Sequence, residues 1–196
     1  MMTSYKFTAT AATLAGILVT TLAVSATTPS AVSQARTPGV SVARGEYLVT
    51  TSGCHDCHTP WVMGANGPEP DMKRALTGHP SDFVMPPAPK LPDGPWIWLG
   101  GATNTAFAGP WGTSFSANLT PDKDTGTGTW TAEQFIATLR TGRRLGKGRP
   151  VLPPMPAAVY AKMTDDDLRS IFLYLQSLKP VQNKVPMPVE PKEGGQ

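Results

Sequence analysis

The chain has 196 residues, enough for one domain with a real core, and a formal net charge of +3. No basic run or basic–aromatic stripe accompanies that charge, which argues against a nucleic-acid surface. Pro at 21 and Gly at 19 exceed average usage and predict much loop and few regular elements.

The N-terminus reads as an export signal. Lys6 supplies the positive start, and Phe7 to Ala26 is uncharged around the apolar run Leu14-Ala15-Gly16-Ile17-Leu18-Val19. Small residues follow, and cleavage after Ala26 or Ala35 satisfies the small-residue rule. The expected organisation is a signal over 1–35, one domain over 36–186 and a flexible tail over 187–196, within a Pro- and charge-rich stretch that reads as loose from Val181 onward. The uncharged stretch is also long enough to span a bilayer, so a retained anchor is the alternative.

Arg44 to Thr51 reads as a short helix, in which Gly45 marks the close approach of another backbone. It leads into Cys54-His55-Asp56-Cys57-His58, which holds both cysteines of the chain. Cys-x-x-Cys-His is the spacing that attaches a c-type haem. Two thiols on one turn can each add to a vinyl group of one porphyrin, and the next imidazole can lie under the iron. Cys54 and Cys57 are therefore assigned as thioether anchors and His58 as the proximal ligand. A thioredoxin-like thiol pair is the first rival, but it needs neither His58 nor fits the pattern around it. A zinc site built with His79 or His55 is the second, and its histidine spacing matches no common finger. His55 itself reads as a solvated or locally hydrogen-bonded side chain.

Residues 61–119 show no sustained period and read as an ordered loop layer, with one helical turn over Asp71–Leu76. Trp96, Trp98 and Trp111 suit a cover for a flat apolar cofactor, or ordinary core packing. After a turn at Gly126–Trp130, Thr131-Ala132-Glu133-Gln134 fits a capping box. The helix it opens carries Phe135, Ile136 and Leu139 on one face and stops at Gly142. Arg140, Arg143, Arg144, Lys147 and Arg149 follow, as a cationic rim for haem propionates or an acidic partner, or as a solvated face.

Val151-Leu152-Pro153-Pro154-Met155-Pro156 is the second chemical stretch. An electron-shuttling haem needs a sixth ligand, and a methionine thioether raises the potential. Flanking prolines make Met155 the candidate over Met63, Met72, Met85, Met163 and Met187, which read as filler. His79 is the alternative sixth ligand. Thr164 then caps a last helix with Asp165, Asp166 and Asp167 in its first turn. Leu168, Ile171, Phe172, Leu175 and Leu178 make its buried stripe, and Pro180 ends it.

With these pieces in order, the chain resembles class I c-type cytochromes. The motif Cys54–His58, the Met155 loop and the helix Leu168–Leu178 carry the resemblance. More narrowly, Trp111–Asp122, the Trp130–Gly142 helix and Pro153-Pro154-Met155-Pro156 are similar to haem domains in cytochrome subunits of bacterial membrane dehydrogenases. The resemblance covers roughly Val42 to Pro186. It implies an all-α class I cytochrome fold around one covalent haem c with His58/Met155 ligation and long Pro/Gly/Trp-rich loops. It further implies that the first and last helices cross, with Gly45 against Phe172 or Tyr174. Pro60 and Pro68 are the candidate carbonyls for the second nitrogen of His58.

The function expected on this basis is one-electron carriage between redox proteins in the periplasm, with a dehydrogenase or a terminal acceptor as partner and no catalytic residue. The alternatives are a peroxidase-like haem enzyme with an open sixth position and a non-haem thiol-redox module.

Overall fold

A computed structural model of the protein describes residues 39–90 and 94–191. The expected signal and its cleavage points lie outside these residues, as does the end of the expected tail. Two amphipathic helices organise what is described. Helix α1 spans Val42–Thr51, starting where the Ser41 hydroxyl accepts the Arg44 N–H, and buries Gly45, Leu48 and Val49. Helix α5 spans Asp165–Ser177, and its cap Thr164 accepts the Asp167 N–H. Its stripe Leu168, Ile171, Phe172 and Leu175 is buried as the periodicity predicts.

The two helices cross at Gly45. A Cβ there would lie 1.9 Å from the Ser170 carbonyl oxygen and 2.7 Å from Tyr174 Cβ. Gly45 therefore meets Ser170 and Tyr174. Phe172 turns instead toward Phe135, with ring centroids 5.6 Å apart. Arg44 ties the crossing with an Nε–Asp167 Oδ1 contact of 2.9 Å.

Between these helices the chain forms α2 (Cys54–His58), α3 (Ala132–Thr141) and α4 (Ala157–Tyr160). The capping box of α3 is present, with Thr131 Oγ1 accepting from Gln134 N and Gln134 Oε1 accepting from Thr131 N. Phe135 and Leu139 of α3 join Leu48, Val49 and the α5 stripe in one core.

The all-α expectation is overturned in residues 61–115. Strands β1 (Trp61–Gly64) and β2 (Gly67–Pro70) form an antiparallel hairpin, with Trp61 opposite Pro70 and Gly64 opposite Gly67. Strands β3 (Leu99–Gly100), β4 (Ala106–Gly109) and β5 (Gly112–Phe115) form a second antiparallel sheet in that order. Two-residue turns between paired glycines make both tight hairpins, so these strands need little side-chain patterning of their own. A short 3-10 turn, Met72–Arg74 capped by Asp71, lies where one helical turn was expected.

The chain after α5 is fastened rather than loose over 181–191. Buried Asn183 donates through Nδ2 to the Thr77 and His79 carbonyls at 2.7 and 2.9 Å, and its Oδ1 accepts the Ser81 N–H. Val189 exchanges two backbone hydrogen bonds with Thr113 of β5. Among the described residues no helix is long and apolar enough to cross a membrane.

Candidate functional site: a cleft between the cysteine motif and the methionine loop

Helix α2 owes its position to Gly53, whose φ of +70° lets the chain leave α1 and re-enter a helix at once. One turn then presents Cys54, Cys57 and His58. The far end of that turn is anchored by polar bonds. Buried Thr59 accepts the Leu76 N–H at 3.0 Å, the His58 carbonyl accepts Gly78 N–H at 2.8 Å, and the Pro60 carbonyl accepts Asp71 N–H at 2.8 Å. The ring of His55 bonds Thr59 Oγ1 through Nδ1 at 2.9 Å, a local contact within the motif.

The His58 ring is oriented from a distance in sequence. Its Nδ1 lies 2.8 Å from the Ala117 carbonyl oxygen, which can only accept, so Nδ1 carries the proton and Nε2 keeps its lone pair. The orienting carbonyl is thus Ala117, in the chain leaving β5, and not Pro60 or Pro68. Burial holds the imidazole below its ordinary pKa, while the Ala117 bond acts the other way. A neutral ring with one free nitrogen is a ready metal ligand.

Met155 is set by its own backbone, whose carbonyl accepts the Ala157 N–H at 2.9 Å, and by its loop. Its own N–H reaches the Leu152 carbonyl, and the preceding Pro153 carbonyl accepts the Ser114 hydroxyl at 2.6 Å. Strand β5 therefore fixes both sides of the site, holding the methionine loop through Ser114 and leading directly to Ala117. Arg140, from α3, donates to the Met163 carbonyl at 2.7 Å and to the Ala161 carbonyl, which secures the chain beyond α4.

Cys54, Cys57, His58 and Met155 line one cleft, together with Phe107, Phe115, Trp130, Phe135 and Leu139. Tyr160 also lines it, and its hydroxyl donates to the Ser52 carbonyl at 2.7 Å. Both cysteines are free thiols. Burial pushes the Cys54 thiol up to about 11 and the Cys57 thiol in the same direction. A nucleophilic redox pair needs the opposite shift.

The other sequence-predicted candidates lie elsewhere. His79 is fully buried, and both its nitrogens are engaged. Nε2 donates to the Phe83 carbonyl at 2.9 Å, and Nδ1 pairs with Thr105 Oγ1 at 2.9 Å. It is outside the cleft lining and is available neither as a sixth ligand nor as a fourth zinc ligand. Trp96, Trp98 and Trp111 do not line the cleft either. Trp96 and Trp98 are exposed, and Trp98 meets Phe107 edge-on at 5.9 Å. The aromatic wall is instead Phe107, Phe115, Trp130 and Phe135, of which only Phe135 stood out locally, on the apolar face of α3. The basic cluster divides. Arg140 is a brace paired with Asp165, Arg143 donates to the Gly148 carbonyl, and only Arg144 and Arg149 of the group reach the cleft.

No protein-family model matches the chain. Among curated proteins, it is 33% identical over 148 residues to the cytochrome c subunit of a quinone alcohol dehydrogenase from Gluconobacter oxydans (strain 621H), covering 74% of this chain and 23% of that protein. The chain is similar to haem c domains of bacterial dehydrogenase cytochrome subunits. The fructose dehydrogenase cytochrome subunit of Gluconobacter japonicus is 31% identical over 147 residues, with the same two coverages of 74% and 23%. The gluconate 2-dehydrogenase cytochrome c subunit of Pantoea cypripedii is 29% identical over 133 residues, 68% of this chain and 22% of that one. The chain spans about a quarter of the length of these curated relatives.

The residues present fit a haem of this type. Two free thiols and an imidazole with a free nitrogen share one helical turn. A thioether faces the same apolar cleft, and two cations stand at its edge.

Proposed function

We propose that the chain is an exported monohaem c-type cytochrome that carries one electron between a dehydrogenase and an acceptor protein. The observation that carries this is the convergence of the Cys54, Cys57 and His58 turn with Met155, from a distant part of the sequence, on one apolar cleft. When bound, haem c supplies a ferric/ferrous couple. Cys54 and Cys57 would hold it through thioethers, each thiol adding across one vinyl group. His58, its ring fixed by Ala117, would hold the iron through Nε2, and Met155 would hold it through sulfur. The apolar wall would keep water from the metal and favour its less charged, reduced state. No side chain is asked to act as nucleophile or general base.

A signal over 1–35 and a domain beginning at 36 belong to the same proposal, as does a periplasmic location; the domain runs past the expected limit of 186 to include Val189, which pairs with β5. The dehydrogenase partner is inferred from the names of the relatives.

The test uses protein expressed with haem-maturation machinery. Denatured protein stays red, and its pyridine haemochrome shows both vinyl groups saturated. Met155→Ala keeps the covalent haem, loses the methionine-to-iron charge-transfer band and lowers the midpoint potential. A colourless product with two reactive thiols overturns the proposal. A wild-type ferric form that is high-spin without that band replaces the carrier with a haem enzyme.

A further inference from the structure

The cleft has an electrostatic asymmetry that the four haem-facing residues do not use. No carboxylate lines it among the described residues, yet Arg144 and Arg149 both do. The other arginines nearby are spoken for. Arg44, Arg74, Arg140 and Arg169 each hold a carboxylate. Neither Arg144 nor Arg149 has a carboxylate within salt-bridge distance among the described residues. Among the described residues the Arg149 guanidinium makes one hydrogen bond, to the carbonyl of its neighbour Pro150.

The backbone holds the two side by side. The Arg144 N–H donates to the Arg149 carbonyl at 3.0 Å, and Arg143 pairs with Pro150. The Arg144 guanidinium sits 5.2 Å over the Trp130 ring, itself part of the cleft wall. That stacking removes freedom from the side chain and leaves its donors available. Desolvation lowers the pKa of Arg149, and the charge of Arg144 adds to the effect. Two like charges held together at an apolar cleft are unfavourable until an anion joins them.

We propose that Arg144 and Arg149 form a paired cation site that takes the two propionate carboxylates of the cofactor. The inference rests on the haem reading given above. Two planar forks match two carboxylates by charge-assisted hydrogen bonds, which a lysine can supply only as a point charge. The pair thereby fixes which edge of the porphyrin faces residues 144–149. It also holds positive charge beside the metal centre, which favours the reduced state.

The experiment takes the holoprotein and the variants Arg144→Gln, Arg149→Gln, the double variant and Arg149→Lys. Midpoint potential is measured against pH, with the pyridine haemochrome as a check on covalent haem. The Gln variants retain haem, have lower potentials where the propionates are ionised, and show the propionate-linked step about one pH unit higher. Arg149→Lys recovers part of the shift. If haem is retained and the pH profile is unchanged in all variants, the pair does not bind propionates and the carrier reading stands. If only the salt dependence of electron transfer to a partner changes, the pair is a surface for an acidic protein and the inference is overturned. Wild-type protein without haem overturns both.

Discussion

His79 shows how one residue can be misjudged and still matter. From sequence it was a rival axial ligand. In the fold it is a sealed polar node, with the Phe83 carbonyl on one nitrogen, Thr105 on the other and the Phe115 ring 4.9 Å away. Burial holds its imidazole below the ordinary 6.5, against the weaker opposite pull of the Phe83 carbonyl bond and, after it, of the Asp82 charge. The unfolded chain therefore takes up a proton that the folded chain refuses. The stability this contributes is complete above 6.5 and is lost as pH falls from there toward the lowered folded value. The melting temperature accordingly falls between about pH 7 and pH 5, and His79→Gln, less stable at neutral pH, shows a flatter decline over that range. Parallel profiles for the two proteins would assign the acid sensitivity to other groups. Ser114 is a second telling residue. Ser114→Ala removes its donation to the Pro153 carbonyl and costs about 1 kcal/mol in chemical denaturation. If Met155 ligates the iron as proposed, added imidazole displaces it from the Ser114→Ala holoprotein at lower concentration than from wild type. An unchanged titration would mean that the loop holds itself without β5.

At the scale of elements, legibility followed the range of the information. Helices α3 and α5 were readable because their signals are local. Thr131 and Gln134 cap α3 from within four residues, and Thr164 does the same for α5. The Cys54–His58 turn was readable for the same reason, its chemistry being a matter of adjacent residues. The sheets were not, because strands of two to four residues such as Ala106–Gly109 are too short to show alternation. Ala117 was out of reach as well, since a carbonyl leaves no trace in the side-chain sequence. Gly45 lies between these cases. Its place in a helix signalled a contact, but only the fold names Ser170 as the neighbour. Gly45→Ala forces the α1–α5 crossing apart and costs about 3 kcal/mol, read as a lower denaturation midpoint. A midpoint close to wild type would show that the crossing can slide to admit a methyl group.

For the whole molecule, the segment after α5 is the part that composition described least well. Its prolines and charges read as solvated chain, yet Asn183 satisfies three backbone groups around residues 77–81 and is 8% exposed. Asn183→Ala leaves those groups without partners and costs about 2 kcal/mol, measurable by thermal denaturation. Stability within a few tenths of wild type would mean that water replaces the amide. The same segment puts Pro188 into the cleft lining beside Val189, whose backbone extends the β4–β5 sheet at Thr113. The carboxyl-terminal strip thus behaves as a zipper along one flank of the chamber. Peeling it back from residue 191 would let solvent reach the chamber while both crossing helices stayed intact, so traction on that end would be felt first where the chemistry is.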